Sequence, residues 1–206
     1  DDDILVVKSG TGNVTFTGAI GADKELGGLK VNDGSATGTA SEGDADITFT
    51  GAIGSGGAGV KGDTLIGNDT TTSVNFGGAL YSFNGTNNTI TSVSGSDNIN
   101  VAVTAEFETL ADAITFAGGN IDLADGANLT VNSDGGVITI AGIAGDSSET
   151  VTINANDTVG AGTANEKVVL GNVGDSSHAQ INTVTVTGND GITLQGAIYT
   201  DGTAAA

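Results

Sequence analysis

Cysteine, proline, methionine, tryptophan and arginine do not occur in this chain of 206 residues. Without cysteine there is no disulfide framework, so stability has to come from packing and hydrogen bonds. Without proline the turns fall to Gly, Asn and Asp, which tolerate left-handed backbone. Basic charge is scarce, with only Lys8, Lys24, Lys30, Lys61 and Lys167 set against 25 acidic residues, for a formal charge of −20. Phosphate backbones are held by Lys and Arg, so nucleic acid is excluded as a partner, and anionic membrane surfaces are disfavoured. No apolar run is long enough to cross a bilayer as a helix, so membrane insertion is not expected. The chain opens on Asp1-Asp2-Asp3 and closes on Ala204-Ala205-Ala206, which reads as a mature or proteolysed product or a segment of something longer.

What is abundant is Gly (35 residues), with Thr, Asn, Asp and Ser around a core vocabulary of Val, Ile, Ala and Leu. Small and β-branched side chains suit stacked strands. The strongest signal is internal repetition. Val14-Thr15-Phe16-Thr17-Gly18-Ala19-Ile20 returns at Ile47–Ile53, Val74–Leu80, Ile114–Asn120, Ile138–Ala144 and Ile192–Ile198, with a degenerate copy at Val168–Val173. The steps between copies run from 24 to 40 residues. Alternation over the first three positions is that of a half-buried strand, and the Gly after it marks a bend or close backbone approach. The alternation turns Val14, Phe16, Ile47, Phe49, Val74, Phe76, Ile138, Ile140, Ile192 and Leu194 inward.

A second motif lies between copies: Leu29-Lys30-Val31-Asn32-Asp33-Gly34, Leu129–Gly135, Val151–Asp157 and Val184–Gly191. Each is a short alternating strand ending in an Asn/Asp/Gly turn. One unit therefore reads as two strands and two turns. The fold class is all-β, a repetitive β-solenoid of the parallel β-helix kind, with β-sandwich modules as the alternative. The chain reads as one repetitive domain over 1–206, with a hinge or long turn at 54–62. Phe107, Leu110, Ala111 and Ile114 also match one helical face, so a short helical insertion at 105–114 competes with a strand there.

The segments Val14–Ile20, Leu26–Gly34 and Gly191–Gly202 resemble the repetitive passenger regions of giant Gram-negative surface proteins. These are filamentous-haemagglutinin-like exoproteins and autotransporter-type β-strand-repeat adhesins. The resemblance covers most of the chain and is weakest around 95–110. It implies parallel β-helices serving as stalks or adhesive fibres, and it carries no catalytic residues. The composition is also similar to that of surface-layer proteins.

Candidate chemistry is sparse. His178 is the only histidine and sits in Gly174-Asp175-Ser176-Ser177-His178, which reads as a solvated turn rather than a triad. A polysaccharide-processing β-helix would need two placed carboxyls and a sugar platform, and Tyr81 and Tyr199 are the only tyrosines. No cofactor is required by this reading. Structural Ca²⁺ is the open candidate, because hard cations take clustered oxygens on turns. The clusters are Asp44 with Asp46, Asp122 with Asp125, Asn132 with Asp134, and Asn189 with Asp190. Gly56–Lys61 opens like a calcium-roll nonapeptide but has Lys61 where Asp belongs.

The expectation is an extracellular, cell-surface, non-enzymatic structural or adhesive module of a fibre or stalk. The second expectation is a filament or surface-layer subunit joined by strand donation through Ile4-Leu5-Val6-Val7, whose continuous apolar character asks for cover on both faces. The expected partners are copies of the chain or flanking repeats of a longer one, and a host or cell-surface glycan or protein.

Overall fold

The computed structural model describes residues 3–34, 45–54, 59–95, 97–157, 165–174 and 180–200. Among them there is no helix. Every strand pairing is parallel. The chain winds through about seven turns of a β-solenoid, which sets aside the sandwich alternative, a fold of antiparallel sheets.

Each turn has three faces. The first stacks β1 (Ile4–Val7), β3 (Gly28–Val31), β5 (Thr64–Ile66), β8 (Asn87–Thr91), β11 (Ala113–Ala117), the start of β14 (Ile138–Ala144), the start of β16 (Lys167–Val173) and β18 (Gly191–Leu194). The second stacks β2 (Val14–Phe16), β4 (Asp46–Phe49), β6 (Ser73–Phe76), β9 (Asp97–Val101), β12 (Asn120–Leu123) and the ends of β14 and β16. The third begins with a bridge between Ile20 and Ile53 and continues through β7 (Leu80–Ser82), β10 (Ala105–Glu108), β13 (Leu129–Asn132), β15 (Thr150–Asn154) and β17 (Thr183–Thr187).

The coil length is regular beneath the irregular sequence spacing. Ile4 pairs with Gly28, Thr64 with Asn88, Ile114 with Ile138 and Val168 with Ile192, each a step of 24 residues. Leu29 pairs with Thr64 and Ile138 with Val168, steps of 35 and 30, the extra residues falling in the β3–β4 and β15–β16 connections.

The two sequence motifs change face along the axis. Val14, Ile47 and Val74 stack on the second face. Ile114, Ile138, Val168 and Ile192 stack on the first. Likewise Leu29 lies on the first face, whereas Leu129, Val151 and Val184 stack on the third. The glycine bend thus moves one corner around the triangle between the early and late coils. That shift produces the 40-residue step from Val74 to Ile114 and corrects the unit from two strands to three faces. The bend needs glycine because the coils touch there. A Cβ on Gly51 would lie 2.7 Å from the Gly18 carbonyl carbon, and one on Gly78 equally close to that of Gly51.

Inside, apolar residues form continuous columns. Phe16, Phe49 and Phe76 stack with centroids 4.9 and 5.6 Å apart. Phe76 and Tyr81 then meet Phe107, which reaches Phe116 edge to face. Of the ten residues expected inward, seven are buried and Phe16 is half-buried. Ile192 and Leu194 depart from the expectation, at 45% and 52% exposed. They keep the inward register of Val168 and Leu170, but no described coil lies beyond β18.

The helix expected at 105–114 is a strand, a corner and the start of another strand. β10 pairs with β7 and β13, and β11 with β8 and β14. Neighbours on both sides offer each backbone group a parallel partner, which overrides a local helical pattern. Leu110, which the helical face would bury, is 63% exposed beside Ala111 at φ 63°. The corner is fixed by Thr109, whose hydroxyl donates to the carbonyls of Asp112 and Ser133.

Of the hinge expected at 54–62, residues 55–58 lie outside the described residues. Its flanks are tied into the stack: Gly54 N donates to Ile20 O at 2.8 Å, and Lys61 N to Leu26 O at 2.8 Å.

Candidate functional site

Thr, Asn and Asp that point outward on one coil meet their equivalents on the next, so polar side chains form ladders parallel to the axis. Asn100 Nδ2 donates to Asn75 Oδ1 at 2.7 Å on the second face. Asn154 Nδ2 donates to Asn132 Oδ1 at 3.3 Å on the third. At the first corner Asn32, buried and at φ 45°, accepts from Ser9 N and donates to Ser9 Oγ.

The residues expected to gather cations serve these ladders and corners. Asp44 lies outside the described residues. Asp46 accepts from Ser73 Oγ at 2.7 Å on one side and from Asn13 Nδ2 at 3.2 Å on the other, bridging three coils. Asn132 Oδ1 also caps its own turn by accepting from Asp134 N at 3.3 Å, with Asp134 at φ 46°. Asp190 Oδ2 accepts from Asn165 N and Glu166 N, and Asn189 sits exposed in the turn before it. Asp125 accepts from Ser148 Oγ at 3.0 Å. Among the described residues, no group of three or more His, Asp or Glu is placed to hold a metal ion. His178 and its neighbours in 175–179 lie outside the described residues.

The structure relates Asp122 to Asp97 and Glu149. Burial, then the charges of Asp97 and Glu149, push the Asp122 carboxyl above its ordinary value of 3.8. Glu149 escaped the sequence reading altogether, yet it is fully buried. Burial raises its proton affinity. Hydrogen bonds from Ser148 Oγ and from the Asp146, Ser148 and Gly126 amides outweigh burial, so its pKa is held below 4.5. An ionised Glu149 thus binds the amides of two coils together. Nothing in the sequence distinguishes it from a surface glutamate except the turn Gly145-Asp146-Ser147-Ser148 ahead of it.

Asp122 and Glu149 act in opposite senses with pH. A carboxyl raised by the fold stabilises below its unfolded value and loses that contribution as pH rises through its folded value. Asp122→Asn is therefore expected to stabilise the fold at neutral pH by about 0.5–2 kcal/mol. The gain should vanish on acidification below about 3.8. Thermal melts of both chains at several pH values check this. No gain at neutral pH, or a gain that survives acid, refutes it.

A groove of about 290 Å³ lies at the third corner, lined by Thr86, Ala111, Asp112, Ala113, Gly135, Gly136, Val137 and Asn165. Its single ionisable group is Asp112, whose carboxyl is pushed up by burial. One carboxyl can bind or exchange a proton, but two-carboxylate glycoside hydrolysis needs a second one across the substrate.

The assembly residues Ile4, Leu5, Val6 and Val7 form β1, paired along one edge with β3 of the same chain. Leu5 and Val7 are half-buried against the core, while Ile4 and Val6 face outward at 55% and 50% exposure. No family model, curated protein or solved structure matches this chain.

Proposed function

We propose that the chain is a non-catalytic, load-bearing module of an extracellular surface fibre or adhesin stalk. The observation that carries this reading is the unbroken parallel ladder from β1 to β18, which links every coil to the next in register. About seven turns at roughly 4.8 Å each make a column about 35 Å long. Force along the axis is opposed by the inter-strand hydrogen bonds of three faces at once. The polar ladders and the aromatic column reinforce the same contacts. Cross-strand chemistry is thus spent on holding coils together, and the longer β3–β4 and β15–β16 connections are the places where length varies. The partner such a stalk would meet is a host or cell-surface glycan or protein.

The test is to stretch single molecules held at their two ends. Coils should peel away in steps, each 24-residue coil releasing about 80 Å of chain. A chain that lengthens smoothly, with no resisting peaks, refutes the load-bearing reading.

A further inference from the structure

We propose that copies of this chain stack end to end, the edge of β18 that is unpaired among the described residues joining in parallel the unpaired edge of β1 in the next copy. The inference rests on the structural role proposed above and names the partner as a second copy.

The two ends are matched column by column. The apolar column that ends at Leu194 runs back through Leu170, Ile140 and Phe116 and begins at Val7. The column that ends at Ile198 runs back through Val173 and Ile143 and begins at Val14. The last members are open to solvent, Leu194 at 52% and Ile198 at 38%, although Leu170 and Val173 in the same columns are fully buried. At the other end Val7 is only half-buried.

A shift along the axis brings these ends together without a change of strand direction, because β1 and β18 are end strands of one parallel sheet. Leu194 then faces Val7 and Ile192 faces Leu5. A slip by one residue would put Thr193 into the core instead, so the register is specified. An unrelated strand could pair with β18 but would leave Ile198 on the second face uncovered. The opposite end of this chain supplies the same faces with the same polarity. The junction would repeat the contact already made between every pair of coils. Such a contact is heterologous and does not close, so it propagates into a filament. With −20 on each copy, growth is opposed by repulsion that salt screens.

Sedimentation and electron microscopy of the purified chain at increasing concentration and salt test the proposal. Rods whose lengths are multiples of one copy, longer at high salt, are expected. Leu194→Lys should block one end and Val7→Lys the other, leaving each variant a folded monomer by circular dichroism. Mixed in equal amounts, the two should give dimers and nothing longer, because one good edge of each kind remains. A wild-type chain that is folded but monomeric throughout overturns the stacking, and this arm needs no variant. It leaves the stalk reading standing if the same monomer still resists stretching. A wild-type assembly that stops at a dimer, or a variant mixture that grows into long rods, overturns the edges assigned here.

Discussion

Replacing Phe107 with alanine should lower the free energy of unfolding by about 3–5 kcal/mol, as expected for a fully buried ring. Phe107 is where the aromatic column converges. It stacks on Tyr81 with centroids 4.8 Å apart and meets Phe76 and Phe116 edge to face at 5.0 and 5.1 Å, with Phe83 tilted at 6.5 Å. Each such pair adds about 0.5–1.5 kcal/mol beyond simple burial. The site is held by β7 below and β13 above, so the backbone has little freedom to collapse into the void. Position along the axis matters too. In a stack whose coils touch only their neighbours, a weak coil in the middle uncouples the two halves. Denaturant unfolding should therefore broaden or split as well as shift. Phe16→Ala is the comparison. Phe16 has one ring partner, Phe49 at 4.9 Å, and is half-buried in the first coil, so its loss should be less than half as large. Equal losses at the two sites would refute the convergent column.

The parallel stack and most of its inward residues were legible because alternation and a recurrent Gly bend report burial and turning directly. Val14, Ile47 and Val74 hold the same place in successive repeat copies, and they do stack. Which face a strand occupies was not legible. On any of the three faces a strand alternates in the same way, so the shift of the motif from the second face to the first left no mark except an overlong step. The strand at Ala105–Glu108 was obscured for a related reason. Its hydrogen-bond partners come from β7 and β13, remote in sequence, while the helical spacing of Phe107, Leu110, Ala111 and Ile114 is local. The acidic clusters were legible as turn residues but not as ladder members. Asp46 lies in sequence beside Asp44, yet its carboxylate binds Asn13 and Ser73 on the flanking coils. Glu149 was invisible because its partners are mainly backbone amides, which every sequence contains.

Gly118→Ala should be the most damaging of the small-to-large changes at the corners, by about 2–5 kcal/mol when left-handed strain and overpacking are combined. Two separate penalties meet at this residue. Gly118 has φ +83°, a conformation that alanine resists, and a Cβ there would run into the carbonyl oxygen of Ser92 on the preceding coil. Ser92 cannot withdraw easily. It is fully buried, its amide donates to Ala117 O at 3.2 Å, and its hydroxyl accepts from Gly119 N at 3.3 Å. The penalties can be separated with two other glycines. Gly126 has φ +73° but open space around its Cβ position, so Gly126→Ala should carry the conformational part alone, about 1–2 kcal/mol. Gly18 occupies the same bend in the first repeat copy, with an ordinary φ and nothing within 4 Å. Gly18→Ala should be neutral to within about 0.5 kcal/mol. Chemical denaturation of the three variants beside the parent gives the order directly. If Gly118→Ala costs no more than Gly126→Ala, the coils can part enough to admit a methyl group, and the close approach of backbones at the bend is not what reserves the position for glycine.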